Sequence, residues 1–162
     1  MSATVKAAPR SRSTPDELPM RDFAHSLPMA LLRAREAVMC RFRPHLRSHD
    51  VTEQQWRVLR AVFEVESIEV TALADRCFIL MPSLSRILRG LEDRGLIERR
   101  IVPTDQRRAE IRITPTGRRF VATVAPESEA LYAEITRAIG ARKIDQLYAL
   151  LDEVSAALTR RT

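Results

Sequence analysis

Hydrophobic positions recur along this chain in two rhythms, one helical and one alternating, and the places where the rhythm changes predict its elements. From Leu27 the apolar residues Leu31, Ala34, Val38 and Phe42 form one row at helical spacing, widened by Met29, Leu32 and Met39. A helix apolar over so broad an arc needs cover on two sides. Pro28 suits its first turn, with Ser26 close by as a cap, and Pro44 is expected to kink or interrupt it. A second helix opens at T-E-Q-Q, where Thr52 and Gln55 fit a capping box ahead of Trp56, Leu59 and Phe63. Val70, Leu73, Ala74 and Cys77 then mark a short amphipathic helix, with Cys77 as an inert core thiol. After the link F-I-L-M-P, the stripe Leu84, Ile87, Leu88 and Leu91 marks another helix, ended by Gly95.

Here the rhythm changes to alternation. Ile97, Arg99 and Ile101 share one strand face, with Glu98 and Arg100 on the other. P-T-D-Q-R-R, with Pro103 and Asp105 as turn formers, leads into a return strand carrying Ala109, Ile111 and Ile113. Asp105 and Arg107 are placed to pair across the tip. Thr114-Pro115 restarts helical spacing as N-cap and first position, followed by Phe120, Val121 and Val124. Pro126 is expected to bend or break that helix before Leu131 and Ile135. Beyond Gly140, Ile144, Leu147, Tyr148, Leu151, Val154 and Leu158 form a terminal stripe that needs a partner surface, from this chain or a second copy.

The polar positions give this layout a direction. The face opposite the Leu84–Leu91 stripe carries Ser83, Ser85, Arg86 and Arg89, and the basic hairpin follows at once. A basic helix face alone is ordinarily a solvated face. As the second helix of a closely connected pair, with residue types that read bases, this one suits a DNA major groove. Arginine at the hairpin tip suits the minor groove, whose negative potential attracts it. The net charge of +6 comes from 27 basic residues against 21 acidic ones, and only Lys6 and Lys143 among the basic residues are lysine. Arginine is the cation suited to bidentate phosphate and guanine contacts.

Composition also excludes. The two cysteines, Cys40 and Cys77, have no zinc-ribbon or C-x-x-C spacing, so neither a disulfide framework nor a structural metal is expected. No apolar run approaches membrane-spanning length, and no hydrophobic segment of a secretory signal follows the first residues. With four glycines there is no phosphate-cradling loop, and no nucleophile motif or metal-hydrolase set is present. Catalysis is disfavoured, no cofactor is expected, and the expected compartment is the cytoplasm. Residues 1–21, rich in Pro, Ser and Arg, read as a disordered basic arm.

Several of these segments, taken together, resemble the MarR family of winged helix-turn-helix repressors. They are T-A-L-A-D-R at Thr71–Arg76, S-L-S-R-I-L-R-G-L-E-D-R-G-L-I-E-R at Ser83–Arg99, P-T-D-Q-R-R at Pro103–Arg108 and I-T-P-T-G-R at Ile113–Arg118. Ala30–Pro44 and Val51–Arg60 further resemble the subgroup that represses the homoprotocatechuate degradation operon. Pro82, at the start of the recognition helix, and Pro126 depart from the family pattern.

The resemblance implies a mainly α fold with a small β-hairpin wing: four helices, strand, wing, strand, then two more helices. Residues 51–114 would form the DNA-binding domain, and 22–50 with 115–162 the helical dimerisation region. It implies a homodimer on a pseudo-palindromic double-stranded operator. Ser83, Ser85, Arg86 and Arg89 would meet the major groove, and Arg107 and Arg108 would make the wing contacts. For the effector, a small aromatic carboxylate that releases the operator, Arg33, Arg35, Met39, Phe42, Arg43 and Trp56 are the candidate residues, guanidinium for the carboxylate and apolar walls for the ring. Arg35 could equally form an ion pair with Glu36 or another acid. The alternative is a redox-sensing repressor switching through Cys40, which lies among Arg41 and Arg43. His45 and His49, four residues apart, share a helical face if the helix persists past Pro44. Two histidines alone rarely make a metal site, so they read as surface or pocket residues, and no metal is assigned. A protein-binding adaptor without DNA is the last reading.

Overall fold

The computed structural model describes residues 20–65, 67–102 and 105–159, with the side chains of 102–108 outside the description. After a single 3-10 turn at Phe23–His25, the order is α1 (Leu27–Ser48), α2 (Glu53–Phe63), β1 (Ile68–Glu69), α3 (Val70–Cys77), α4 (Met81–Asp93), β2 (Ile97–Val102), β3 (Asp105–Ile113), α5 (Pro115–Ile139) and α6 (Ala141–Thr159). The chain divides into two units, one through Glu36 and one from Ala37 onward. In the first, Arg35 pairs with Glu36 at 2.8 Å, and Leu27, Leu31 and Leu32 are exposed. The rest concerns the second unit.

Its core is built from the predicted stripes. α2 starts where Thr52 Oγ1 accepts from the Gln55 amide at 3.2 Å and the Gln55 side chain accepts from the Thr52 amide at 3.0 Å, closing the capping box. α2 then buries Trp56, Val58, Leu59, Ala61 and Val62, against Leu73, Ala74 and Cys77 of α3 and Leu84, Leu88 and Leu91 of α4. Burial pushes the Cys77 thiol above its ordinary pKa, partly opposed by Arg57 and Arg76, as befits an inert core thiol.

The sheet has three strands in the order β1-β3-β2, all antiparallel. Ile111 is the central apolar residue, opposite Ile68 on one side and Arg99 on the other. β1 has no counterpart among the expected elements, because two residues carry no period. β3 begins at Asp105, so four of the six residues expected in the turn belong to the strand. Ile97 is buried, but Ile101 on the same face is 63% exposed. The wing therefore outruns the helices that cover its base, and alternation persists there without burial.

Both interior prolines sit inside continuous helices, Pro44 in α1 and Pro126 in α5. Neither interrupts its helix. The carbonyls deprived of an amide partner, four residues upstream, belong to Cys40 and Ala122, both exposed, so water can take the missing bond. The first-helix row is buried at Phe42 and only partly at Met39, whereas Val38 is 37% exposed. α6 buries no residue at all, and Leu147, Tyr148, Leu150 and Leu158 are exposed on it.

Candidate nucleic-acid interface and ligand site

The turn between α3 and α4 is made by Phe78, which takes left-handed backbone angles (φ 50, ψ 50) while its amide and that of Ile79 bond back to α3 carbonyls. Pro82 lies in the first turn of α4, where its missing amide breaks no helical bond. With Leu84, Leu88 and Leu91 buried, the opposite face must look outward. Ser85, Arg86 and Arg89 are exposed and Ser83 is half-buried. Arg86 and Arg89 therefore share the outward face, with Ser85 on one flank and the half-buried Ser83 on the other.

Their electrostatics differ from those of the neighbouring arginines. Arg76 is paired with Glu64, Arg99 with Glu92 at 3.7 Å, Arg100 with Glu98 at 2.7 Å and Arg112 with Glu110 at 3.5 Å. Arg86 makes only a long 3.5 Å bond to the Pro82 carbonyl of its own helix. Among the described residues, neither Arg86 nor Arg89 has an acidic partner. The predicted wing contacts Arg107 and Arg108, and the Asp105–Arg107 pair, involve side chains outside the described residues.

The predicted ligand residues are only partly brought together. Phe42 and Trp56 lie in the core cluster, and Met39 packs against it. The Arg43 Nε donates to the Glu53 carboxylate at 3.2 Å, and Arg57 reaches the same carboxylate at 3.7 Å. Arg43 thus shares the Glu53 carboxylate with Arg57. Arg33 and Arg35 belong to the first unit.

Two residues absent from the expected set complete an aromatic group. The Arg60 guanidinium lies over the Trp56 ring, 5.9 Å from its centroid. Tyr132 of α5 packs on Phe42 with ring centroids 4.8 Å apart. Burial raises the Tyr132 phenol above its ordinary pKa, while Arg60 pulls it down, so the guanidinium and phenol share one electrostatic neighbourhood. Arg60 was legible: it follows Trp56 by four residues and had to share its face. Tyr132 comes from a distant helix and carries no local signal. Arg60 has one loose acidic neighbour, Glu64 at 3.9 Å. A separate groove, lined by Ala37, Val38, Arg41, Leu131, Glu134 and Ile135, contains none of the predicted ligand residues.

Cys40 is exposed, and Arg43, one of the cations expected to activate it, donates to its sulfur at 3.8 Å but also to the Glu53 carboxylate at 3.2 Å. Cys77, the other cysteine, is buried. The redox alternative is not favoured.

The MarR family model matches residues 49–108. The homoprotocatechuate degradative operon repressor of Escherichia coli is 41% identical over 131 residues, covering 81% of this chain and 88% of that protein. Among solved structures, NadR in complex with 4-hydroxyphenylacetate is 35% identical with a TM-score of 0.73, covering 85% of this chain and 97% of that one. CouR bound to a 23-mer DNA duplex is 28% identical with a TM-score of 0.72, covering 86% and 99%. The chain belongs to the MarR family, a family of transcriptional regulators and not of enzymes. Among the described residues no helix is long and apolar enough to cross a membrane.

Proposed function

We propose that this protein is a cytoplasmic, homodimeric repressor of an aromatic-acid catabolic operon, released from its operator by a small aromatic carboxylate. The observation that carries the DNA half is α4, whose outward arginines Arg86 and Arg89 have no acidic partner among the described residues. The dimer would place two such helices in successive major grooves, ~34–36 Å apart. The exposed apolar face of α6 supplies surface for that dimer, with residues 22–50 and 115–162 as its dimerisation region and 51–114 as its reader. Arg107 and Arg108 on the wing would add backbone or minor-groove contacts.

For the ligand, Arg60 is the best-placed carboxylate partner. Its guanidinium is held against Trp56 but only loosely engaged by Glu64, so its donors can turn to a planar anion. Phe42, Met39 and Trp56 supply apolar walls, and the Tyr132 hydroxyl can meet a ring hydroxyl. The NadR complex with 4-hydroxyphenylacetate supports this ligand class. Ligand binding that fits best at a non-operator spacing of the reading helices would shift the population off DNA.

The test is fluorescence anisotropy on DNA from upstream of the gene, titrated with 4-hydroxyphenylacetate and its 3,4-dihydroxy analogue. Release at saturable ligand concentrations is expected. Arg60→Ala should keep operator affinity but need roughly 30-fold more ligand, the equivalent of about 2 kcal/mol for a truncated charge pair. Tyr132→Phe should cost only about fivefold, the scale of one neutral hydrogen bond. A normal response in Arg60→Ala with a lost response in Arg43→Ala would return the carboxylate to Arg43.

A further inference from the structure

The C-terminal turn of α1 faces α5 through a group of side chains that the DNA and ligand sites do not use. His45 is 4% exposed. Its Nε2 lies 3.1 Å from the Val124 carbonyl oxygen and 3.2 Å from Ser128 Oγ. A carbonyl can only accept, so Nε2 carries the hydrogen. Nδ1 is then the atom with the lone pair in the neutral ring. It is buried and makes no hydrogen bond, although the Glu127 carboxylate stands 2.9 Å away. That short approach lies off the hydrogen-bonding direction of the ring, so the Nδ1 lone pair is left without a partner while an anionic oxygen stands beside it. His49, four residues on and just past the end of α1, brings its ring to 5.1 Å from that of His45, edge to face.

We propose that His45 Nδ1, a ring nitrogen of His49 and the Glu127 carboxylate form a binding site for a divalent transition-metal ion of the zinc type. One ligand atom from each of the three lies within 4.8 Å of the others. Zinc ligands around one ion sit ~3.3 Å from each other, given bonds of about 2.0–2.2 Å. Closing the site therefore takes a shift of roughly 1.5 Å, which the half-buried His49 and the 61% exposed Glu127 side chains are free to make. His45 need not move. Its Nε2–H bond to a backbone carbonyl is the outer-sphere arrangement that fixes a ligating imidazole with the other nitrogen toward the metal. Two imidazoles and a carboxylate suit zinc, with a fourth position left for water on the exposed Glu127 side. The ion would tie the end of α1 to α5, and the turn that follows α1 is already fixed by Arg94, which donates to the Asp50 carbonyl at 2.7 Å.

The site can be tested on the full-length, chelator-stripped protein with zinc chloride alone, in competition with a chromophoric chelator. One zinc per chain is expected, and cobalt(II) should develop the visible absorption of a four-coordinate ion with nitrogen and oxygen ligands. His49→Ala and Glu127→Gln, neither at a fully buried position, should each weaken binding by roughly 100-fold or more, since loss of an outer-sphere partner alone costs about 10–100-fold. Zinc should raise the thermal midpoint of the parent protein and not of these variants. Cys40→Ser and His25→Ala should leave the titration unchanged. The proposal is overturned by absence of stoichiometric binding, by unaltered affinity in His49→Ala and Glu127→Gln, or by loss of binding in the Cys40 or His25 variants.

Discussion

Gly117→Ala should lower the stability of this protein by about 3 kcal/mol, at the upper end of the usual range for an inserted methyl group. The position lies in the first turn of α5, where Thr114 Oγ1 accepts from the Gly117 amide at 3.0 Å. The same hydroxyl donates to the Gly95 carbonyl at 2.6 Å, and the Thr114 amide donates to the Leu96 carbonyl at 3.1 Å. These bonds press the start of α5 against the end of the turn that follows α4. A methyl group on Gly117 would overlap the Leu96 carbonyl oxygen and come within 2.8 Å of Ile113 Cγ1. The obstacle is backbone and is already held by hydrogen bonds, so it cannot swing away as a side-chain tip would. Relief requires α5 to move off the sheet, exposing Val121 and Val124, which are almost fully buried. Gly90→Ala supplies the contrast. There the new methyl group meets only Gln55 Nε2 at an ordinary 3.6 Å, in the middle of α4, so a gain of about 0.4–1 kcal/mol is expected. Urea denaturation at one fixed protein concentration, needed because dimerisation contributes to stability, would measure both. Equal midpoints for the two variants would mean that the α5 start adjusts freely and that the close approach at Gly117 is not a constraint.

What could be read from the chain alone followed the range over which each signal acts. Leu73, Cys77, Leu84, Leu88 and Leu91 repeat at helical spacing because one face of each helix is buried, so the helix-turn-helix pair was visible before its tertiary contacts were known. The Thr52–Gln55 and Thr114 caps were equally local. The two interior prolines misled only as to a break, because a proline removes one hydrogen bond and the remaining packing of α1 and α5 outweighs it where the orphaned carbonyl faces solvent. Ile101 misled for the opposite reason: alternation records which way a side chain points, but not whether anything lies there to cover it. The burial of Phe42 and Trp56 was legible because each lies on a helical stripe, whereas the pairing of the arginines around them was not. Nothing local says that Arg43 meets Glu53 while Arg60 is left over Trp56. Likewise, two histidines one turn apart gain their third neighbour, Glu127, only when α5 folds back against α1.

Arg86→Ala should separate specific from nonspecific DNA binding more sharply than any other single change in the reader. An arginine bidentate to a base edge is worth about 1–3 kcal/mol of discrimination, and a dimer makes the contact twice, so a loss of roughly 30-fold to 10⁴-fold on the operator is expected. On random-sequence DNA the same variant should lose far less, since that binding rests on phosphates and on the many other cations of the chain. Folding should be unaffected: Arg86 is exposed, and among the described residues its only hydrogen bond is the long one to Pro82, so stability should change by less than about 0.5 kcal/mol. Arg100→Ala is the informative comparison. Arg100 is equally exposed but paired with Glu98 at 2.7 Å, so its charge is already balanced and its loss should matter much less on either DNA. Anisotropy titrations at two or more salt concentrations would distinguish the cases. Equal losses on operator and random DNA, with the salt dependence reduced by about one phosphate contact per arginine removed, would show that Arg86 meets only the backbone. Base reading would then fall to Ser83, Ser85 and Arg89, the remaining polar residues of the same outward face.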